Sequence, residues 1–152
     1  MTRGRPRLEQ VNIVSVDLEA SIAFYRRLGV DIGADGIWRT PTGIHHVNAK
    51  PDARRSTIHL DLDSEAFARR WNTGWRAHPA LKGRIVVGFG FGSRAAVDDV
   101  YADLTGAGHV GLQPPFDAFW GCRYAIVEDP DGVAVGLMSP RSPHRISPPP
   151  EV

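Results

Sequence analysis

The chain has 152 residues, 42% hydrophobic and 23% charged, which is enough apolar material to bury a core in one compact domain or two very small ones. Eighteen Lys and Arg stand against 17 Asp and Glu, and the arginines are scattered, so the concentrated positive charge that nucleic acid requires is missing. No apolar run reaches the ~18 residues of a membrane span and none follows the arginines of residues 1–7, so a cytoplasmic protein is expected. A single cysteine, Cys122, excludes an intrachain disulfide framework and a thiolate zinc site, so any metal would need imidazole, carboxylate or amide ligands.

Residues 1–7 read as a flexible segment. Residues 10–16 (QVNIVSV) set Val11 and Ile13 against Gln10, Asn12 and Val14, the alternation of a strand. Residues 17–29 (DLEASIAFYRRLG) place Ile22, Phe24, Tyr25 and Leu28 near helical spacing and stop at Gly29. Strands are then predicted over 30–39, 43–49 and 56–63, the last alternating Ile58, Leu60 and Leu62 with Thr57, His59 and Asp61. His45 and His46 are adjacent on a strand and must face opposite ways, so at most one faces inward, and surface or structural roles are favoured for both.

Residues 64–83 open with Ser64 as an N-cap and form a linker with a short helix, on which Trp71 and Trp75 read as packing. In 84–92 (RIVVGFGFG), Phe89 and Phe91 are expected under a helix as core, which leaves Gly88 and Gly90 on a bare opposite face. Residues 95–107 carry Val97, Val100, Tyr101 and Leu104 on one helical stripe. Strands follow at 110–114, 123–128 and 133–138, the last two joined by Asp129-Pro130-Asp131-Gly132, whose turn chemistry accounts for both aspartates. Five prolines from Ser139 onward predict a tail with neither ladder nor helix. The chain therefore divides into a first module at 8–63, the linker at 64–83, a second module at 84–139 and a Pro-rich tail at 140–152. Each module reads β-α-β-β-β.

This tandem order, with VNIVSVDLEASIAFYRRLG opening the first module and EDPDGVAVGL closing the second, resembles the vicinal oxygen chelate superfamily. That group includes glyoxalase I, extradiol dioxygenases, fosfomycin-modifying thiol transferases and bleomycin resistance proteins. The resemblance implies an α+β fold in which tandem βαβββ modules form a cup-shaped mixed sheet with helices outside, commonly as a homodimer. In metal-using members, four ligands come from the first and last strands of each module. Carried over residue by residue, those positions fall on Gln10, His59, Val86 and Gly136. Two of the four have no donor side chain, so no metal and no cofactor is expected, and the chain is most similar in character to the metal-free bleomycin-resistance-like members.

The resulting expectation is a protein that holds an apolar or aromatic small molecule in the cup. Gln10, Asn12, His59, Gly88, Gly90 and Trp120 line it, with Trp38 and Tyr124 as further aromatic contacts. Trp120-Gly121 ahead of the DPDG hairpin is similar to the bleomycin resistance proteins, where the Trp belongs to an aromatic cleft at the dimer interface; with Phe116, Phe119 and Tyr124 it forms an aromatic cluster suited to flat ligands. The alternative is a metal-dependent lyase, isomerase or dioxygenase-like enzyme using His59, Gln10 and a third ligand such as His46 or Glu128. The Gly-rich strand has no Walker lysine and no Gly-x-Ser-x-Gly occurs, which leaves phosphate cradling and serine nucleophiles unsupported. The partners expected are a small molecule and a second copy of the chain, with no nucleic acid and no membrane.

Overall fold

A computed structural model describes residues 10–49, 58–72, 74, 77 and 85–148, and divides the chain into two units, Met1–Arg76 and Ala77–Val152. In the first unit, β1 (Gln10–Ser15) leads into α1 (Leu18–Leu28), followed by β2 (Ile37–Thr40), β3 (Gly43–Ala49), β4 (His59–Ser64) and α2 (Glu65–Trp71). The strands form a mixed sheet in the order β1-β4-β3-β2, with β1 and β4 parallel and the other pairs antiparallel. The second unit contains β5 (Val86–Gly90), α3 (Arg94–Gly106), β6 (Gly111–Asp117), β7 (Arg123–Glu128) and β8 (Ala134–Met138). Its sheet order is β5-β8-β7-β6, with β5 and β8 parallel. The same order and the same pairing senses recur, so the tandem repeat read from the sequence is present as two four-stranded mixed sheets in an α+β fold.

Local chemistry explains the helix ends. Asp17 caps α1 by accepting from the Ala20 N–H at 3.0 Å, and Glu19 in the first turn with Arg26 and Arg27 in the last complement the helix dipole. Gly29 ends the helix at φ 102°, a left-handed conformation that costs glycine little. Ser64 and Ser93 cap α2 and α3 in the same way. The apolar stripe of α1 buries Ile22, Phe24, Tyr25 and Leu28, with Leu62 and Val47 of the first sheet also fully buried. In the second unit Val97 and Leu104 of α3 are buried, as are Ala125, Val127, Val135 and Leu137 of β7 and β8.

Several expectations need correction. β2 begins at Ile37, behind a 3-10 turn at Ala34–Gly36, rather than at residue 30. β6 runs to Asp117 rather than stopping at Pro114: it is an edge strand with bulges, so the missing N–H groups of Pro114 and Pro115 cost no central ladder. Phe89 and Phe91 are half-buried rather than core, because α3 packs on β6, β7 and β8 rather than over β5. The tail is tied down: Ile146 makes a bridge to Trp120, Pro143–Arg145 form a 3-10 turn, and the Ser142 and Ser147 N–H groups bond to the Gly121 and Phe119 carbonyls. Proline forbids a regular ladder but not isolated bonds from the residues between prolines. Residues 1–7, the Trp71 side chain, Trp75 and residues 149–152 lie outside the described residues. No helix among the described residues is long and apolar enough to cross a membrane.

Candidate functional site

Each sheet has one face toward its helices and one face away from them. In the first module Ile13, Leu60, Leu62 and Val47 take the α1 side, and the alternation sends Gln10, Asn12, His46, Asn48, His59, Asp61 and Asp63 to the other. Two carboxylates, Asp61 at 5% and Asp63 at 1% exposure, are buried in the middle of this polar face. Burial of a carboxylate is tolerable only where donors replace water, and here all four oxygens receive one. Asp61 Oδ1 accepts from Asn48 Nδ2 at 2.6 Å and its Oδ2 from Gln10 Nε2. Asp63 Oδ1 is 2.6 Å from His46 Nδ1, and its Oδ2 accepts from Asn12 Nδ2 at 3.0 Å. Asn48 and His46 are direct cross-strand neighbours of the two aspartates, whereas Gln10 and Asn12 reach them diagonally across the parallel β1–β4 pair.

Of the residues expected at the site, Gln10, Asn12 and His59 share this face, and His59 lies directly opposite Gln10 and is exposed. Asp61, Asp63 and Asn48 were not anticipated, and His46 has a definite partner. The available signal was HLDLDS itself, where charged residues at every second position of an apolar strand require partners on its neighbours.

Trp38 sits opposite His46 on β2, 48% exposed, with its ring centroid 5.1 Å from Phe67 and 5.2 Å from His45. Trp38, His45 and Phe67, with Thr40, Thr42 and Arg70, line a groove of about 330 Å³. A larger hollow of about 480 Å³ beside Ser15, Leu18 and Ile44 contains no residue anticipated at the site, and its charged rim, Glu65 and Arg69, is paired with itself at 3.5 Å.

In the second module, the strand register aligns Gly90, Met138, Tyr124 and Phe116 in one row and Gly88, Gly136 and Ile126 in the next. A Cβ placed on Gly88 or Gly90 meets nothing within 4 Å, so this end of the face is an open floor. Aromatic rings stand at the other end. Trp120 lies 5.3 Å from Tyr124, 6.2 Å from Phe116 and 5.0 Å from Phe119, all edge-on, and none of the four is fully buried. Burial raises the Tyr124 phenol above its ordinary pKa, so it stays a neutral hydroxyl at physiological pH. Outside this face, the Arg123 guanidinium bridges Asp98 of α3 at 2.8 Å and Asp117 of β6 at 2.9 Å, and its hydrogen bond holds the Asp117 carboxyl below the usual range. Asp129 accepts from the Asp131 and Val133 N–H groups, the role expected of a turn residue, and Cys122 is buried and free.

Tyr124 also occupies the space above Gly136, where a Cβ would lie 2.6 Å from its hydroxyl. Gly136→Ala is therefore expected to lower stability by about 1–3 kcal/mol through overpacking, and Tyr124→Phe in the same chain to recover part of that loss. Thermal melts of the single and double variants check this, and additive effects would contradict it.

A family model described as the Glyoxalase/Bleomycin resistance protein/Dioxygenase superfamily matches residues 7–137. The chain belongs to this superfamily. No curated protein matches it by sequence. Solved structures similar to this superfamily member include a glyoxalase/bleomycin resistance protein/dioxygenase from Nocardioides, 23% identical over 99% of this chain and 92% of that one, TM-score 0.67. Others are TnmS3, an antibiotic binding protein from Streptomyces sp. CB03234 (21% identity, 91% and 98% coverage, TM-score 0.60), and a lactoylglutathione lyase from Agrobacterium tumefaciens (20%, 90% and 96%, TM-score 0.61). At these identities the likeness is one of fold.

The superfamily's metal does not fit the donors present. Gln10 and His59 are neighbours in the first sheet and are the two donor-bearing positions of the four. In the second sheet Val86 and Gly136 offer no donor atom, and the Tyr124 ring fills the space a longer side chain at Gly136 would need. Glu128 is on the same face, in the row of Val86 and Ala134, and His46 is held by Asp63. No group of three His, Cys, Asp or Glu able to hold a metal occurs among the described residues.

Proposed function

We propose that this superfamily member is a small-molecule-binding protein that takes a flat apolar or aromatic ligand without using a metal. The observation that carries this reading is the second module's face, where Gly88 and Gly90 leave an open floor at one end and Phe116, Trp120 and Tyr124 supply an aromatic wall at the other. Glycine weakens a strand, and two of them on one face of β5 add nothing to its packing; their service is room. Apolar walls with a few polar groups are the usual make-up of a small-molecule site, and the Tyr124 hydroxyl supplies one. The first module's polar face, with Gln10, Asn12 and His59, and the exposed Trp38 are further contact surfaces in this reading. The antibiotic-binding description of TnmS3 lends support by fold. The reading includes a homodimer, for which the exposed apolar side chains Leu112, Phe119 and Ile146 give cause.

Gly88→Val tests it. A Cβ at Gly88 meets nothing within 4 Å, and a β-branched residue favours the strand, so the melting temperature is expected to hold or rise. Binding of the flat fluorescent probe 8-anilinonaphthalene-1-sulfonate is expected to fall by roughly tenfold or more, the equivalent of about 1.4 kcal/mol. Undiminished probe binding by a stable Gly88→Val protein would remove the floor from the site.

A further inference from the structure

Asp63 does more than fill the first module's polar face. Its Oδ1 lies 2.6 Å from His46 Nδ1, and a carboxylate oxygen only accepts, so Nδ1 carries the hydrogen and a neutral ring keeps a lone pair at Nε2. Asn12 Nδ2 holds the other oxygen at 3.0 Å, so the carboxylate is clamped from both sides. The Phe67 ring packs on the imidazole, with centroids 5.8 Å apart and planes at 65°. The Asp63 side chain is 2% exposed while that of His46 remains 31% exposed, so part of the imidazole is open to solvent. A second observation points the same way. Asn12 gives its N–H to Asp63, which turns its Oδ1 elsewhere, and that oxygen is buried with no hydrogen-bond partner among the described residues. An orphaned acceptor on the residue that also holds Asp63 leaves this face with an unmet demand for a hydrogen-bond donor.

We propose that His46, oriented by Asp63 and Asn12, is a general base that takes the proton of an acidic hydroxyl, phenolic or enolic, on a small molecule at the first module's face. This goes beyond the binding reading, which rests on the second module. In the step the ligand O–H bond breaks, its electron pair stays on oxygen as phenolate or enolate, and an N–H bond forms at Nε2. The imidazolium is stabilised by Asp63, and return of the proton restores both partners without consuming another reactant. Among the described residues, the other titratable or charged groups on β3 and on the β2, 3-10 turn, β4 and α2 elements paired with or packed against it are His45 on β3, Arg39 on β2, Asp35 in the 3-10 turn, Asp61 and His59 on β4, and Glu65, Arg69 and Arg70 on α2. Asp63 and Asn12 are positioning residues, since they act through the ring.

Two measurements test this. Two-bond nitrogen–proton correlation of the labelled histidines is expected to show neutral His46 protonated at Nδ1; the Nε2–H form would overturn the proposal whatever the ligand. The second uses 4-nitrophenol, whose phenolate absorbs at longer wavelength than the phenol. At one fixed pH, wild type is expected to bind it and raise the phenolate absorbance. His46→Gln should bind roughly tenfold to a hundredfold more weakly and lose the absorbance change. Asp63→Asn should bind with a reduced phenolate signal, a change that a merely structural aspartate would not produce; if that variant does not fold, the wild-type tautomer and His46→Gln still decide. Failure of wild type to bind 4-nitrophenol, or an equal phenolate signal in His46→Gln, overturns the base. Retained naphthalene-probe binding in that case leaves the glycine floor standing.

Discussion

Trp120→Ala weakens binding of the naphthalene probe by about 1–3 kcal/mol while the unliganded protein keeps most of its stability. The reason is where the ring stands. It is half-buried, edge-on to Phe116, Phe119 and Tyr124, and outside the set of core side chains buried against α3. Its backbone bridge to Ile146 survives the substitution, since that contact uses main-chain atoms. A tryptophan in the core would behave in the opposite way, losing about 3–5 kcal/mol of stability through the cavity left behind, with or without ligand. Calorimetric titration of the probe and a melt of the unliganded variant separate the two outcomes. A collapsed melting temperature with unchanged affinity per folded molecule would return Trp120 to a structural role.

The second large effect belongs to a residue with no part in the aromatic wall. Asp61→Ala is expected to cost about 1–3 kcal/mol, because it removes two charge-assisted hydrogen bonds and leaves the half-buried Asn48 amide without its acceptor, while the exposed Gln10 amide can turn to water. Asp61→Asn keeps the shape but sets one N–H against another, so its loss should be smaller. In urea the midpoint should fall with the slope unchanged, since the native fold persists. A change under about 0.5 kcal/mol in Asp61→Ala, the usual size for an unconstrained surface position, would show that the network does not hold the face together.

The amino-acid sequence by itself determined those features whose physical cause is local. Asp17, Ser64 and Ser93 cap helices through N–H groups three residues away, Gly29 ends α1 through its own φ, and the DPDG turn closes on Asp129. Alternation within a strand likewise placed Gln10, Asn12 and His59 on one face, and Gly88 and Gly90 on another, before any pairing was known. The repeat of these local patterns carried the fold. Tertiary structure decided everything that depends on register. Gln10 and Asn12 meet the aspartates across 51 residues of chain, and only the parallel alignment of β1 with β4 brings amide to carboxylate. A one-residue slip would turn Asp61 and Asp63 toward α1, so their burial as a satisfied pair follows from the pairing and is written in neither strand alone. The same holds for Tyr124 above Gly136, the bulge that orders Trp38 and His46, and the tail strapped to Trp120, each of which joins elements whose separation in sequence conceals their contact.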